Sequence, residues 1–587
     1  MSGEAMLGEG QIIAAAGCDR ADAPCDVADL RAPLDRLVCD FATSGDTCLA
    51  ARLSEQFARL AARADQAEHP SRLGWYYLTA VYSWAATSDA SFAAERRERA
   101  CRLYHESVAR LLIVAQLDCA YQSGCGIQVD TPYGTAQIRL AVEGFAWHAD
   151  DFQQLYPVGD YATSNVLRRY ARPGYGVPLV VRRTQHTGRY CEEAFLTNDA
   201  TFAATAMLFP QQAACADAST PIPTQATLAL YDPLNPPAPN SGGGASPLAT
   251  DTTAPLAFGS ISRGDSDFWL TAFIEPDDFT DDRLAMLEPY QPGKIPVIFV
   301  HGLLSSPSTW TDLVNDLRAQ SEFSQRYQVW EFRYETGAPF LAAAARLRRE
   351  LKQLITTIDP HGADPALQDI VLVGHSMGGL VARLQTVDSG DALWNVIANE
   401  PLEQIVTDPA TRAQLAELFF FEAQPSVRRV IYLATPHLGS EWANRPIGRL
   451  ASSLVRREPQ IERRHRQLAA ANPGVFSPEI RDRIPTSIDM LDPDSPSLRA
   501  IWCLPTAPWI TTHSVIGTEH PPLFVPPGDS VVSVESAEHP GTASRVFVCA
   551  THTHVQRDTD TTNEVWRILS EHVSTDPEPD LPSPEME

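Results

Sequence analysis

Lysine is almost absent from this 587-residue chain: only Lys294 and Lys352 occur, so arginine carries nearly all the positive charge. The 46 basic residues face 73 acidic ones, a formal net charge of −27. A field of that sign repels phosphate backbones and argues against a nucleic-acid partner. The acidity itself reads as a solvated surface and the arginine bias as genomic base composition. No run of about 18 apolar residues occurs, which argues against a transmembrane helix. Also missing is a CxxC motif matched by a second pair or a histidine cluster at zinc-ligand spacing, so no structural metal is implied. Hydrophobic residues make up 44% and charged ones 20%, proportions of a folded globular chain rather than a disordered one. At about 100–200 residues per domain, the length calls for two to four domains.

Cysteine is present, but at 11 residues it is too sparse for a disulfide-dense scaffold. The odd count singles out Cys18. Residues 12–18 read IIAAAGC, and Ala-Ala-Gly before Cys18 resembles a bacterial lipoprotein cleavage box, making Cys18 a candidate lipid anchor. The ten remaining cysteines would suffice for five disulfides. Against this, the first eleven residues carry no Lys or Arg and the apolar stretch is short for a signal peptide. The expectation is an exported or cell-envelope protein of a bacterium, with a cytoplasmic location as the alternative.

Residues 1–35 lack periodicity and read as a leader or linker. Residues 36–125 read as a helical region, because Leu49, Leu53, Phe57 and Leu60 recur at spacings of three and four. LGWYYLTAVYSW (73–84) is apolar nearly all round, the pattern of a buried helix. A further helix is expected over about 91–116. Residues 126–285 read as a small, antiparallel β-rich region, with strands at 137–142, 179–183, 202–208, 225–231 and 267–274. NPPAPNSGGGASP (235–247) reads as a flexible loop. From 286 to 573, continuous apolar strands alternate with amphipathic helices, the signature of a mostly parallel sheet covered on both faces. The acidic, proline-rich tail, 574–587, reads as disordered.

The chemistry centres on Gly374-His375-Ser376-Met377-Gly378-Gly379, a G-x-S-x-G sequence. DIVLV before it is a strand and LVARLQ after it a helix, so the turn between them must be tight. Gly374 and Gly378 are expected where a Cβ would collide with the neighbouring strand or helix. Such a turn lifts the Ser376 hydroxyl clear of the sheet at a helix N-terminus. A serine nucleophile needs a base. In the order Ser, acid, His, the best acid is Asp529 in PPGDSVVS, with Asp489, Asp492 and Asp494 read as caps and turns. The base is His552 or His554, in the loop after the strand RVFV. His513, His520 and His539 read as structural or exposed. An oxyanion needs donors. One is expected from the Met377 N–H. The other is expected from Leu303, with Leu304 as the alternative, after a turn at His301-Gly302.

With these residues in hand, the segments PVIFVHGLLSSPSTW, VLVGHSMGGLVAR, YLATPHLGS, GDSVV and the His552 loop resemble an α/β-hydrolase of the bacterial lipase/esterase type over about 290–573. The resemblance implies the α/β-hydrolase fold and Ser376, Asp529 and His552 as nucleophile, acid and base, with Leu303 and Met377 as oxyanion donors. It favours His552 over His554, because in similar sequences the base lies about a dozen residues before the Glu of an E-V-x-R-I-L helix, here Glu564 to Leu569. His437 in TPHLGS reads as supporting structure, as do His301 and His375. One departure is Ser530, which stands where the family pattern has glycine. Residues 441–500 read as a helical cap, which would suit an ester with a hydrophobic acyl group. The implied activity is hydrolysis of a carboxylic ester with no metal or organic cofactor. The alternatives are acyl transfer, amide or thioester cleavage by the same triad, or a binding or scaffold role for the first half of the chain.

Overall fold

A computed structural model describes residues 31–87, 94–159, 166–183, 191–196, 201–211, 222–235, 247–262, 283–441, 455, 459–519 and 527–574. Several sequence readings fall outside these residues: the leader before residue 31, Cys18, Cys25 and Cys215, His520, the strand at 267–274, most of the 235–247 loop, the front of the cap and the tail from 575. The chain divides into two compact units, residues 1–189 with 198–262, and residues 190–197 with 263–587. The helical region and most of the β-rich region, residues 126–189 and 198–262, thus fall in the first unit, while 190–197 and 263–285 belong to the second.

In the first unit, helices span Arg31–Ser44, Thr47–Gln66, Arg72–Thr87 and Ala94–Leu117. Asp46 caps the second by accepting from the Cys48 N–H at 2.8 Å. Leu53, Phe57 and Leu60 form its buried stripe. The Arg72–Thr87 helix is buried over nearly its whole circumference, as an all-apolar helix requires. The strands are β1 (Tyr121–Gln122), β2 (Gly126–Thr131), β3 (Gly134–Glu143), β4 (Phe152–Pro157), β5 (Ala171–Arg172), β6 (Val177–Arg183), β7 (Thr201–Pro210), β8 (Gln225–Tyr231) and β9 (Thr250–Asp251). Seven of them form a sheet in the order β1-β2-β3-β8-β7-β6-β4, and β5 pairs with β9. Only the β3–β8 pairing in the large sheet is parallel, so the β-rich region is mixed rather than wholly antiparallel.

The second unit holds β10 (Arg283–Met286), β11 (Ile295–Val300), β12 (Tyr327–Arg333), β13 (Ile370–His375), β14 (Val427–Leu433), β15 (Thr511–Gly517) and β16 (Ser544–Val548). They lie in the order β10-β12-β11-β13-β14-β15-β16, and every pair but β10–β12 is parallel. Every residue of β11, β12 and β13 is buried, and β11 and β13 accordingly read as apolar runs, whereas β12 buries its polar Gln328, Glu331 and Arg333 as well. Strand order reverses at β11, with β12 on one side and β13 on the other, and crevices at such points are where open α/β sheets bind ligands. Helices Phe340–Ile358, Met377–Arg383 and Thr559–Ser574 flank the sheet connections. Cys191–Phe195 forms a short 3-10 turn, and Leu196 bridges to Met286 on edge strand β10. The described part of the expected cap holds helices Pro459–Ala471, Pro478–Asp482, Ser487–Met490 and Pro496–Cys503.

The expected disulfides are not found among the described cysteines. Cys39, Cys48, Cys101, Cys119, Cys125, Cys191, Cys503 and Cys549 are all free. The Cys191 thiol instead lies 3.4 Å from a Glu192 carboxylate oxygen. Among the described residues no helix is long and apolar enough to cross a membrane, and no group of three or more His, Cys, Asp or Glu could hold a metal ion.

Candidate active site

β13 ends at His375 and a helix begins at Met377, leaving Ser376 alone to reverse the chain. Its φ of 53° and ψ of −128° are a conformation L-residues adopt only at a cost of about 1–3 kcal/mol. The turn is held by the Ser376 N–H donating to the Leu433 carbonyl and the Gly379 N–H donating to the Ser376 carbonyl, both at 2.9 Å. A Cβ at Gly374 would lie 2.6 Å from the Gly378 oxygen, and one at Gly378 would overlap the carbonyl oxygens of Val300 and His301. Both glycines are thus required by close packing of the turn against its own helix and against the end of β11.

β15 leads towards the second part of the site. Val532 is buried in a small cluster with Ile516 and Ala537, which anchors the loop that carries Asp529. Asp529 Oδ1 accepts the N–H groups of Val531 at 3.0 Å and Val532 at 2.7 Å. Oδ2 lies 2.7 Å from His552 Nδ1. A carboxylate only accepts, so Nδ1 carries the proton and Nε2 of the neutral ring is an acceptor. Ser376 Oγ sits 2.8 Å from that Nε2, placed to donate its hydroxyl proton. Ser376, Asp529 and His552 are 7%, 1% and 8% exposed, so this chain of two hydrogen bonds is shielded from bulk water.

Of the two candidate histidines, the structure brings only His552 to Ser376. His554 is exposed, and its Nδ1 faces the Thr551 hydroxyl at 2.7 Å. The rival acids lie elsewhere: Asp489 closes a capping box with Thr486, and Asp494 pairs with Arg499 at 2.8 Å. His513 is buried between Arg429 and Ser544. Gly302 runs against Ser376, where a Cβ would lie 3.0 Å from Ser376 Cβ. Leu304, just beyond, has a φ of 53°.

His375 makes a contact that local sequence does not reveal. Its Nε2 donates to the His552 carbonyl at 2.9 Å, and the two rings lie 5.0 Å apart. The end of β13 and the His552 loop, 177 positions apart, are thereby fastened together. Tyr334 was given no role by the sequence, yet its hydroxyl donates to the His301 carbonyl at 2.6 Å. Its place after a strand offered no signal for a partner 33 residues upstream.

Burial keeps several histidines of this unit neutral. It pushes His301 and His375 down to about 3 and His539 down to about 4, and holds His437 well below the usual histidine range. In the unfolded chain a histidine titrates near 6.5. Below about pH 6.5 the unfolded state therefore binds more protons than the folded one, and stability is lost as pH falls towards 4. The expected cost at pH 5 is on the order of 2 kcal/mol for each fully buried ring. Glu106 in the first unit acts in the opposite sense, since burial pushes its carboxyl up to about 7. Urea titrations of the second unit's transition at pH 7.5 and 5 check this, and an unchanged midpoint would contradict it.

Ser530 supplies another test. It occupies φ 77°, where glycine is unstrained and a Cβ is penalised by about 1–2 kcal/mol. Its hydroxyl makes one exposed bond, to Glu519 at 3.2 Å. Ser530→Gly is expected to be about 1 kcal/mol more stable than Ser530→Ala, which keeps the strain and also lacks the hydroxyl. Thermal melts of the two variants compare them directly.

Residues 297–565 match the model of the alpha/beta hydrolase family. Together with the sheet order and the strand–Ser376–helix turn, this match gives the second unit the α/β-hydrolase fold. No curated protein matches the chain. Among solved structures, the mature form of the lipase BlEst2 from Bacillus licheniformis is similar at 17% identity, covering 48% of this chain and 92% of that one, with a TM-score of 0.26. Lipase 1 from Pelosinus fermentans is similar at 16% identity, covering 49% and 100%, with a TM-score of 0.32. EstA from Clostridium botulinum is similar at 13% identity, covering 51% and 90%, with a TM-score of 0.30.

Proposed function

We propose that the protein is a serine hydrolase that cleaves carboxylic esters through an acyl-enzyme, with Ser376 as nucleophile, His552 as base and Asp529 as its orienting acid. The observation that carries this reading is the buried, continuous run from Ser376 Oγ to His552 at 2.8 Å and from His552 to Asp529 at 2.7 Å. Ser376 attacks the acyl carbon as His552 Nε2 takes its proton. Asp529 holds the ring in the required tautomer and stabilises the imidazolium that forms. The N–H groups of Met377 and Leu303 receive the oxyanion. This is supported by Met377 following the nucleophile at a helix start and by Gly302 lying against Ser376. His552 then returns the proton to the leaving alcohol, and the same base activates water to release the acid.

An ester with a hydrophobic acyl group is the substrate class proposed, on the lipase-like run of motifs and the helical segment at 459–503. A chain-length series of nitrophenyl esters tests it. Turnover that rises with acyl length supports the reading. Activity only on amides or thioesters, or acyl transfer without release of free acid, would replace the ester assignment while keeping the triad.

A further inference from the structure

The second oxyanion donor must be held in place before the reaction begins, because a preorganised donor adds no reorganisation at the moment charge develops. Leu303 sits on a turn with no regular secondary structure, so something else must hold it. Two side-chain hydrogen bonds precede it. The Tyr334 hydroxyl donates to the His301 carbonyl at 2.6 Å. His301 Nδ1 lies 3.1 Å from the next carbonyl, that of Gly302, and must be the donor because a carbonyl only accepts. The two rings are stacked, with centroids 4.5 Å apart and planes 23° from parallel. Both residues are fully buried. The Tyr334 ring also stacks with Phe332 at 5.4 Å.

The Gly302 carbonyl and the Leu303 N–H belong to one trans peptide plane and point in opposite directions. Fixing that carbonyl by the His301 ring therefore fixes the direction of the Leu303 N–H. The His301 carbonyl is itself wedged beside Gly378, where no Cβ fits, and is held there by the Tyr334 hydroxyl. We propose that Tyr334 is a positioning residue for the oxyanion donor Leu303, acting through His301, whose carbonyl it binds and whose ring it supports. This rests on the serine-hydrolase reading above. Tyr334 touches no reacting atom. Its effect belongs to the transition state and not to substrate binding.

Tyr334→Phe keeps the ring stack and removes only the hydroxyl. Three readings are taken on this variant and on the unaltered protein: thermal midpoint, kcat and KM on a nitrophenyl ester, and affinity for a trifluoromethyl ketone, which forms a tetrahedral oxyanion on a serine. Complete loss of an oxyanion donor costs about 10²–10³ in kcat, and a misaimed donor loses part of that. The expected result is kcat lower by about 10-fold, KM within about 2-fold, and ketone affinity weakened by about the same factor as kcat. A merely structural tyrosine would lower the thermal midpoint and leave kcat and the ketone alone. A folded Tyr334→Phe with kcat and ketone affinity within about 2-fold of the parent overturns the proposal. His301→Ala removes the ring that holds the Gly302 carbonyl and is expected to show the same selective loss of kcat. With Tyr334→Phe it should be less than additive. If Tyr334→Phe does not fold, His301→Ala decides alone. Loss of Ser376-dependent turnover in the unaltered protein would sink the serine-hydrolase reading instead, so the two failures are told apart.

Discussion

Ser376→Ala is expected to remove ester hydrolysis by about 10⁶ in kcat, the scale on which a nucleophile acting as part of one unit fails. The Ser376 hydroxyl is the atom 2.8 Å from His552 Nε2, and no other hydroxyl is bonded to that nitrogen among the described residues. Alanine fills nearly the same space, so the strained turn at φ 53° is carried over unchanged. The variant should therefore melt close to the parent while losing turnover. What activity remains would come from oxyanion donors and binding alone. Initial rates on a nitrophenyl ester read this directly, and a rate within about tenfold of the parent would contradict it.

His552→Ala is expected to cost a similar factor, about 10⁶ in kcat, whereas His554→Ala should change kcat by less than about 2-fold. The contrast is the informative part. The two histidines are separated by one residue, Thr553, yet only His552 is buried between Ser376 and Asp529. His554 faces the Thr551 hydroxyl at the surface. The loop geometry produces the difference: the His552 N–H donates to the Asp529 carbonyl at 2.9 Å, and the His552 carbonyl accepts from His375. Equal losses in the two variants would mean that the loop is arranged otherwise in solution.

What could be read from the chain follows from how local each signal is. β11 and β13 were legible because strands buried on both faces carry apolar runs, here IPVIFV and IVLV. The strand–Gly374–Ser376–Gly378–helix turn was legible because its constraint is steric and sits within five residues. Asp529 and His552 depend on contacts 23 and 176 residues long, so residue order and the E-V-x-R-I-L spacing had to stand in for geometry. Tyr334 was not legible at all, because a phenol bonded to a backbone carbonyl leaves no trace in the partner's identity. The disulfides were read from a count, and a count carries no information on whether two Cβ atoms approach within bonding range.

The most direct test of the central claim is to label the protein with a fluorophosphonate and map the adduct by peptide mass. The account predicts a single adduct on the Ser376 peptide, formed in step with loss of esterase activity and far more slowly in His552→Ala. Full loss of activity with the adduct on another serine, or hydrolysis that continues with Ser376 fully modified, would contradict it.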